Sequence, residues 1–179
     1  MSPAEISRML KGCAVWAAVF AAGVLSGASF PDVFHAFVRA AVGALGSIAE
    51  SLGAAPAAAA LGIFAKNAVV AAALVLAGRP TRGVYPGIVF FLNGALVGTV
   101  GSLLCGGYGV SPWGFAAALA PHGSLELPAL FLCATLGMAP LTFREKARAA
   151  RLPAAMLAAA AVLETWVSPL VASMVLSAI

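Results

Sequence analysis

One stretch of the sequence decides the fold: Pro121-His122-Gly123-Ser124-Leu125-Glu126-Leu127-Pro128, the densest run of polar and helix-breaking residues in an otherwise apolar chain. His122 and Glu126 are four positions apart, so on a helix their side chains share one face, about 40° apart. Pro121 suits a helix start, where a missing N–H costs little, and Pro128 leaves the carbonyl of Ser124 without its helical donor. The stretch predicts a helix that starts or breaks at Pro121 and carries a polar face.

Composition indicates that the surrounding chain lies in a lipid bilayer. Of the 179 residues, 63% are hydrophobic and 9% are charged, whereas a soluble domain averages roughly 45–50% apolar and about 25% charged residues. We therefore predict an all-α integral membrane protein with a single domain over residues 1–179. The net charge of +4 does not indicate a nucleic-acid partner, because the basic residues lie between apolar runs and act as topology determinants.

The lengths of the apolar runs predict a polytopic transmembrane helix bundle of about five membrane helices. The predicted spans are about 12–30, 54–77, 84–105, 122–139 and 153–178. The first resembles a signal peptide, and we expect it to be retained as a helix. Residues 113–139 are too many for one straight crossing, so we predict a broken or re-entrant segment before Pro121. In the last span, Pro169 frees the carbonyl of Thr165 and predicts a kink.

Residues 31–53 differ from the spans because charged residues are interspersed among aromatic residues at helical spacing. Phe30, Phe34 and Phe37 mark the apolar face. This pattern predicts an amphipathic helix that lies in the membrane interface. The alternative is an extramembrane helix that packs on the bundle.

The basic residues are distributed unequally between the two sides of the predicted bundle. Eight of them fall in connections on one side, and Arg39 alone falls on the other. The eight are Arg8, Lys11, Arg79, Arg82, Arg144, Lys146, Arg148 and Arg151. The positive-inside rule then predicts a multi-pass protein of the cytoplasmic membrane, with the N-terminus inside and the C-terminus outside.

Glycine residues form a stripe along one face of the third span. The spacing Gly94-x-x-x-Gly98 is typical of helices that approach a neighbour closely in lipid, and Gly87 lies on the same face. We predict that Gly87, Gly94 and Gly98 pack against another helix. That helix belongs either to the same chain or to a second copy in a homo-oligomer, and the spacing does not separate the two.

Polar residues at comparable depth in the predicted spans form the candidate site. They are Lys66, Asn67, Asn93, His122, Glu126 and Glu164. An ionisable residue at the bilayer midplane costs roughly 2.5–3.5 kcal/mol on insertion scales, so convergence on each other, on a cation or on water is the cheaper arrangement. We predict a buried polar cluster in which Lys66 neutralises one glutamate, while the other is protonated or bonded to His122.

A metal site is the second hypothesis for part of this polar cluster. His122, Glu126 and Glu164 are acceptable zinc ligands, with a fourth position open for a water that the metal activates for hydrolysis. The His-x3-Glu spacing resembles the ligand geometry of zinc helices, although the second His of the usual metallopeptidase helix is missing. A structural or gating network, a metal site and an ion or solute pathway therefore stay open. No catalytic residue is assigned. We expect no cofactor, and zinc is the alternative if the metal site forms.

Several of these residues also carry a family resemblance. They occur in order along the chain: Phe64-Ala65-Lys66-Asn67, Gly83 to Pro86, Phe91-Leu92-Asn93-Gly94 with Gly98, Pro121-His122-Gly123 with Glu126-Leu127, and Glu164 before Ser168-Pro169. Over about residues 60–170, the chain resembles the stage II sporulation protein M family of polytopic membrane proteins.

The resemblance implies a role without catalysis. The namesake of that family is a membrane component of a cell-wall-degrading machine active in engulfment, similar to a scaffold that localises peptidoglycan-degrading partners. We therefore expect a non-enzymatic integral membrane scaffold that contacts lipid, recruits cell-envelope proteins and forms a homo-oligomer. The alternative is a membrane-embedded metal-dependent hydrolase with the His/Glu/Glu site. A third hypothesis is an ion- or solute-coupled transporter whose kinked helices line a polar pathway.

Overall fold

The computed structural model describes residues 3–40 and 56–176, and every regular element in those residues is an α-helix. The helices are α1 (Pro3–Ser29), α2 (31–40), α3 (Pro56–Ala77), α4 (Val84–Gly107), α5 (Pro112–Met138), α6 (Phe143–Ala149), α7 (Arg151–Trp166) and α8 (Ser168–Leu176). The predicted all-α class is therefore confirmed.

Three helices within the described residues are long and apolar enough to cross a membrane: Glu5–Ser29, Pro56–Ala77 and Val84–Gly107. A further crossing is formed if the bent pair Pro112–Pro121 and Gly123–Met138, which meet at 65°, counts as one span. These helices confirm a polytopic membrane bundle that contains a broken helix at Pro121. Pro121 bends α5 because its ring removes one helical hydrogen bond and crowds the preceding turn.

The predicted last span is divided into two helices. α7 ends at Trp166 after 16 residues, and α8 begins at Ser168 and has nine residues. Pro169 lies in the first turn of α8, where its missing N–H is tolerated. Neither helix alone reaches the roughly 20 residues of a straight membrane crossing. A fifth crossing by 153–178 therefore stays a prediction.

Among the described helices, α1 and α4 share the most extensive contact, and glycines on both helices allow it. A Cβ atom on Gly23 or Gly27 of α1 would overlap backbone atoms of Phe91 or Ala95 of α4. The hydroxyl of Thr99, which is fully buried, donates to the carbonyl of Gly27 across the pair at 3.3 Å. Residue numbers increase together along the two helices, so α1 and α4 run parallel.

A small aromatic core joins this pair to α5. The ring of Phe90 lies 5.0 Å from that of Phe131 and 5.8 Å from that of Trp16, measured between centroids. Leu74 of α3 and Leu157 of α7 complete the same buried cluster. Edge-to-face and tilted ring pairs of this kind add to the packing energy of the buried area. The core thus holds α1, α3, α4, α5 and α7 together.

The basic connections meet at one end of this bundle. A Cβ atom on Gly83 would contact both Trp16 of α1 and Met138 of α5, and one on Gly78 would contact Gly137. The ammonium group of Lys146 donates to the carbonyl of Gly137 at 2.9 Å. The first half of α1, the turn between α3 and α4, the end of α5 and α6 therefore lie together. These segments carry seven of the eight basic residues that the sequence grouped on one side, and the eighth, Arg151, is the first residue of α7.

The predicted amphipathic segment 31–53 is described in part. Residues 31–40 form α2, and the ring of Phe34 packs against Phe91 of α4 at a centroid distance of 6.4 Å. The Arg39 guanidinium donates to Nδ1 of His35 at 3.1 Å on the exposed face. Residues 41–53 lie outside the described residues. The described part therefore packs on the bundle through Phe34.

Candidate functional site

Two residues of the predicted polar cluster meet in one cavity, which lies at the bend of α5. Asn93 of α4 and Glu126 of α5 both line this cavity, which has a volume of about 210 Å3. Phe20 of α1 and Gly123 of α5 contribute to its wall. The amide of Asn93 donates to the carbonyl of Val89 at 2.7 Å, which leaves its Oδ1 available as an acceptor. The cavity therefore combines a carboxyl and an amide in apolar surroundings.

The bend of α5 at Pro121 sets the position of Glu126 beside the cavity that Asn93 also lines. Pro121 breaks the regular course of α5, and Glu126 follows it by five residues, on the part of the helix that begins at Gly123. Gly123 has no side chain, and a Cβ atom there would meet nothing within 4 Å. His122 stands in the chain at the bend itself. Its side chain lies outside the described part of the structure.

Asn67 is buried in the bundle, on the face of α3 that also carries Ala71 and Leu74. Its side chain is 2% exposed, and its Nδ2 group has no hydrogen-bond partner among the described residues. A buried N–H group without a partner costs about 1–3 kcal/mol of stability. This amide is therefore a locally unfavourable feature within the packed interior.

Lys66 precedes Asn67 by one residue and lies on the exposed side of α3. It is the eleventh of the 22 residues of α3, so it stands roughly 15 Å along the helix from either end. A lysine side chain is too short to bring its ammonium group to the interface from that depth, although it shortens the distance by snorkelling. Among the described side chains, Lys66 makes no ion pair or hydrogen bond.

Glu164 lies on α7, one turn beyond the buried residues Ala160 and Ala161 and just before the break at Val167. Its side chain is half-buried. The predicted ion pair between Lys66 and a glutamate is not formed among the described side chains. The structure thus brings Asn93 and Glu126 together, buries Asn67, and leaves Lys66 on the outer surface.

The family model described as Stage II sporulation protein M matches residues 14–169. The chain belongs to the stage II sporulation protein M family. The matched region contains the aromatic core, the bend of α5 and all the residues of the predicted polar cluster. Searches among curated proteins and among solved structures returned no significant match.

Membership of the stage II sporulation protein M family makes this chain a sporulation-related, multi-pass membrane protein. Family membership is not evidence for a bound metal ion. The described side chains include no group of three His, Cys, Asp or Glu residues that could hold an ion. Because His122 is not among those side chains, the zinc site of His122, Glu126 and Glu164 stays a prediction.

The glycines of α4 in this family member differ in their surroundings. A Cβ atom on Gly94 would overlap the backbone of Phe20, and one on Gly98 would overlap that of Val24. Both neighbours belong to α1 of the same chain, so this face is not available to a second copy. A Cβ atom on Gly87 would meet nothing within 4 Å.

The other half of this contact lies on α1 and was not predicted from the sequence. Gly23 and Gly27 of α1 are four positions apart, the same spacing as Gly94 and Gly98. Two such motifs in one apolar chain are a signal that could have paired the first and third spans. Thr99 was also missed, because a lone threonine in an apolar run gives no sign of the carbonyl it will meet.

Proposed function

We propose that this protein is a non-enzymatic membrane scaffold that recruits cell-envelope partners, including peptidoglycan-degrading enzymes. Lys66 is the observation that carries the proposal. A cation at the middle of a membrane helix is unfavourable unless it meets a polar or acidic group. The described part of the chain supplies none to Lys66, so a helix from another chain is the natural source.

The partner is expected to present an acidic side chain at matching depth. Val69, which is 70% exposed, and Lys66 lie three positions apart, so they share one face of α3. That face offers an apolar surface with one central cation. Such a surface suits a membrane helix that carries one Asp or Glu among apolar residues.

Orientation forms part of the same proposal. The connections that meet at the basic end of the bundle are expected to face the cytoplasm, with the N-terminus inside and the C-terminus outside. Partners that act on the cell wall would then be held at the opposite face. Reporter fusions that are active only outside the membrane test this assignment: activity after Leu176 and none after Thr142 is the expected result.

The test of recruitment substitutes Lys66 in the full chain and measures recovery of envelope enzymes with the purified protein. Lys66→Leu is expected to reduce recovery at least severalfold, whereas Lys66→Arg retains the charge and the recovery. A photocrosslinking residue at Val69 identifies the neighbouring helix, and the same residue at Ile88, exposed on α4, serves as the control. Lys66→Glu is expected to abolish recovery of the partner. The proposal requires that recovery return when the acidic residue of the crosslinked partner helix is replaced by Lys. Normal recovery with Lys66→Leu overturns it.

A further inference from the structure

A second cavity opens between α3, α5, α6 and α7, away from the predicted polar cluster. It is a half-open groove with a volume of about 320 Å3, at the lower end of the range for small-ligand sites of roughly 300–1,000 Å3. Its walls include Ala68, Ala72 and Val75 of α3, and Leu157 of α7. Small alanine side chains leave the space open, and the surface they form is apolar. We refer to it as the α3–α7 groove.

Lys146 is the one charged residue among the described residues that line the α3–α7 groove. Its ammonium group donates to the carbonyl of Gly137, in the last turn of α5, at 2.9 Å. Carbonyls at the end of a helix lack an internal donor, so this contact holds the lysine in place. An ammonium group has three N–H donors. Two of them therefore remain for a ligand in the groove.

The short helix α6 turns one face, which carries Lys146, towards the α3–α7 groove. Phe143, Lys146 and Ala147 recur at helical spacing and line the α3–α7 groove. Arg144 and Arg148 lie elsewhere around the helix and are exposed. A capping box between Thr142 and Glu145 fixes the first turn of α6. The groove therefore has an apolar surface and a single lysine, at the basic end of the bundle.

We propose that the α3–α7 groove binds an anionic phospholipid, with an acyl chain along the alanine face of α3 and the phosphate at Lys146. A groove between membrane helices offers an apolar surface to lipid, and a basic side chain in its wall selects a headgroup by charge. Neutral lipids would fill the same space without the ion pair. This inference does not depend on the scaffold proposal, because it rests on different residues and on a different face of α3.

The test measures lipid binding to the purified full chain in a neutral detergent by native mass spectrometry. Phosphatidylglycerol and phosphatidylcholine with identical acyl chains are the probes. We expect wild type to prefer phosphatidylglycerol, and Lys146→Gln to lower that preference by roughly fivefold. Arg148→Gln removes the same charge from the exposed face of the same helix and is expected to change the preference by less than twofold.

A second variant tests the groove itself without changing charge. Ala72→Phe fills space between α3 and α7 and is expected to reduce the binding of both lipids together. An equal loss of preference in Lys146→Gln and Arg148→Gln overturns the proposal, because the charge effect would then be diffuse. Unchanged lipid binding by Ala72→Phe also overturns it, as does a dimer whose second copy excludes lipid from the groove.

Discussion

Gly94 of α4 lies so close to Phe20 of α1 that a Cβ atom on the glycine would overlap the carbonyl oxygen of the phenylalanine. The approach is one of backbone to backbone, and Gly98 repeats it one turn later against Val24. In lipid, helices gain little from hydrophobic burial, so close van der Waals packing and interhelical hydrogen bonds carry association. The parallel pair of α1 and α4 is therefore held by close backbone packing and by the hydrogen bond from Thr99 to Gly27.

The first prediction follows from that contact. Gly94→Ala is expected to lower the stability of the folded chain by roughly 1–3 kcal/mol, because the added methyl group forces the helices apart. Gly87→Ala is the matched control, since the space beside Gly87 is open and alanine favours a helix. Thermal unfolding in one detergent measures both variants. Equal stability of the two would contradict the packing described for α1 and α4.

A second prediction concerns the buried amide of Asn67. Asn67→Leu removes an N–H group that has no described partner and keeps a similar volume, so we expect the chain to become more stable by about 1 kcal/mol. Asn93→Leu is the control, because the amide of Asn93 is exposed and already donates to Val89. Chemical denaturation followed by fluorescence compares the two. A clear loss of stability in Asn67→Leu would show that this amide has a partner.

The third prediction concerns pH at α6. Hydrogen bonds from the backbone N–H and the hydroxyl of Thr142 stabilise the carboxylate of Glu145 and lower its pKa, with a smaller contribution from the charge of Arg148. A pKa that is lower in the folded state stabilises the capping box above the ordinary glutamate range. That stabilisation is lost as the pH falls through the lowered pKa.

Nuclear magnetic resonance of the Thr142 amide against pH measures this titration. We expect a midpoint below that of a glutamate in an unstructured peptide. Thr142→Ala should move the pKa of Glu145 back towards its ordinary range. The variant loses the hydrogen bond that the hydroxyl donates to the carboxylate, and it weakens the first turn that holds the backbone N–H of Thr142 against the same group. Thr142→Ser keeps the hydroxyl and should not shift the pKa. A midpoint that is the same in all three proteins would mean that the box does not hold the carboxylate.

A fourth prediction separates the scaffold from the metal-dependent hydrolase. The scaffold proposal predicts that purified protein carries no stoichiometric zinc and that Glu126→Gln changes no hydrolytic rate on peptidoglycan. Metal analysis of wild type and of a His122→Ala/Glu126→Gln double variant is the measurement. About one zinc per chain, lost in the double variant, would instead support the His122, Glu126 and Glu164 site.

The sequence by itself determined the membrane class, the apolar helices and the position of the break. These properties are local: a run of apolar residues must satisfy its backbone within its own helix in lipid, and proline removes a donor wherever it stands. The order of motifs from Lys66 to Pro169 also identified the family. The bend at Pro121 and the division of the last predicted span near Pro169 follow from the same local chemistry.

The tertiary structure decided which residues meet. Lys66 and Asn67 are neighbours in sequence, yet one is exposed and the other buried, because a helix turns by about 100° per residue and α3 gives only one face to α5 and α7. Helix order decides that Asn93 and Glu126 line the same cavity and that Gly94 packs against α1. In lipid there is little hydrophobic driving force between helices. The helix order therefore depends on how specific small and polar side chains of neighbouring helices pack and hydrogen-bond.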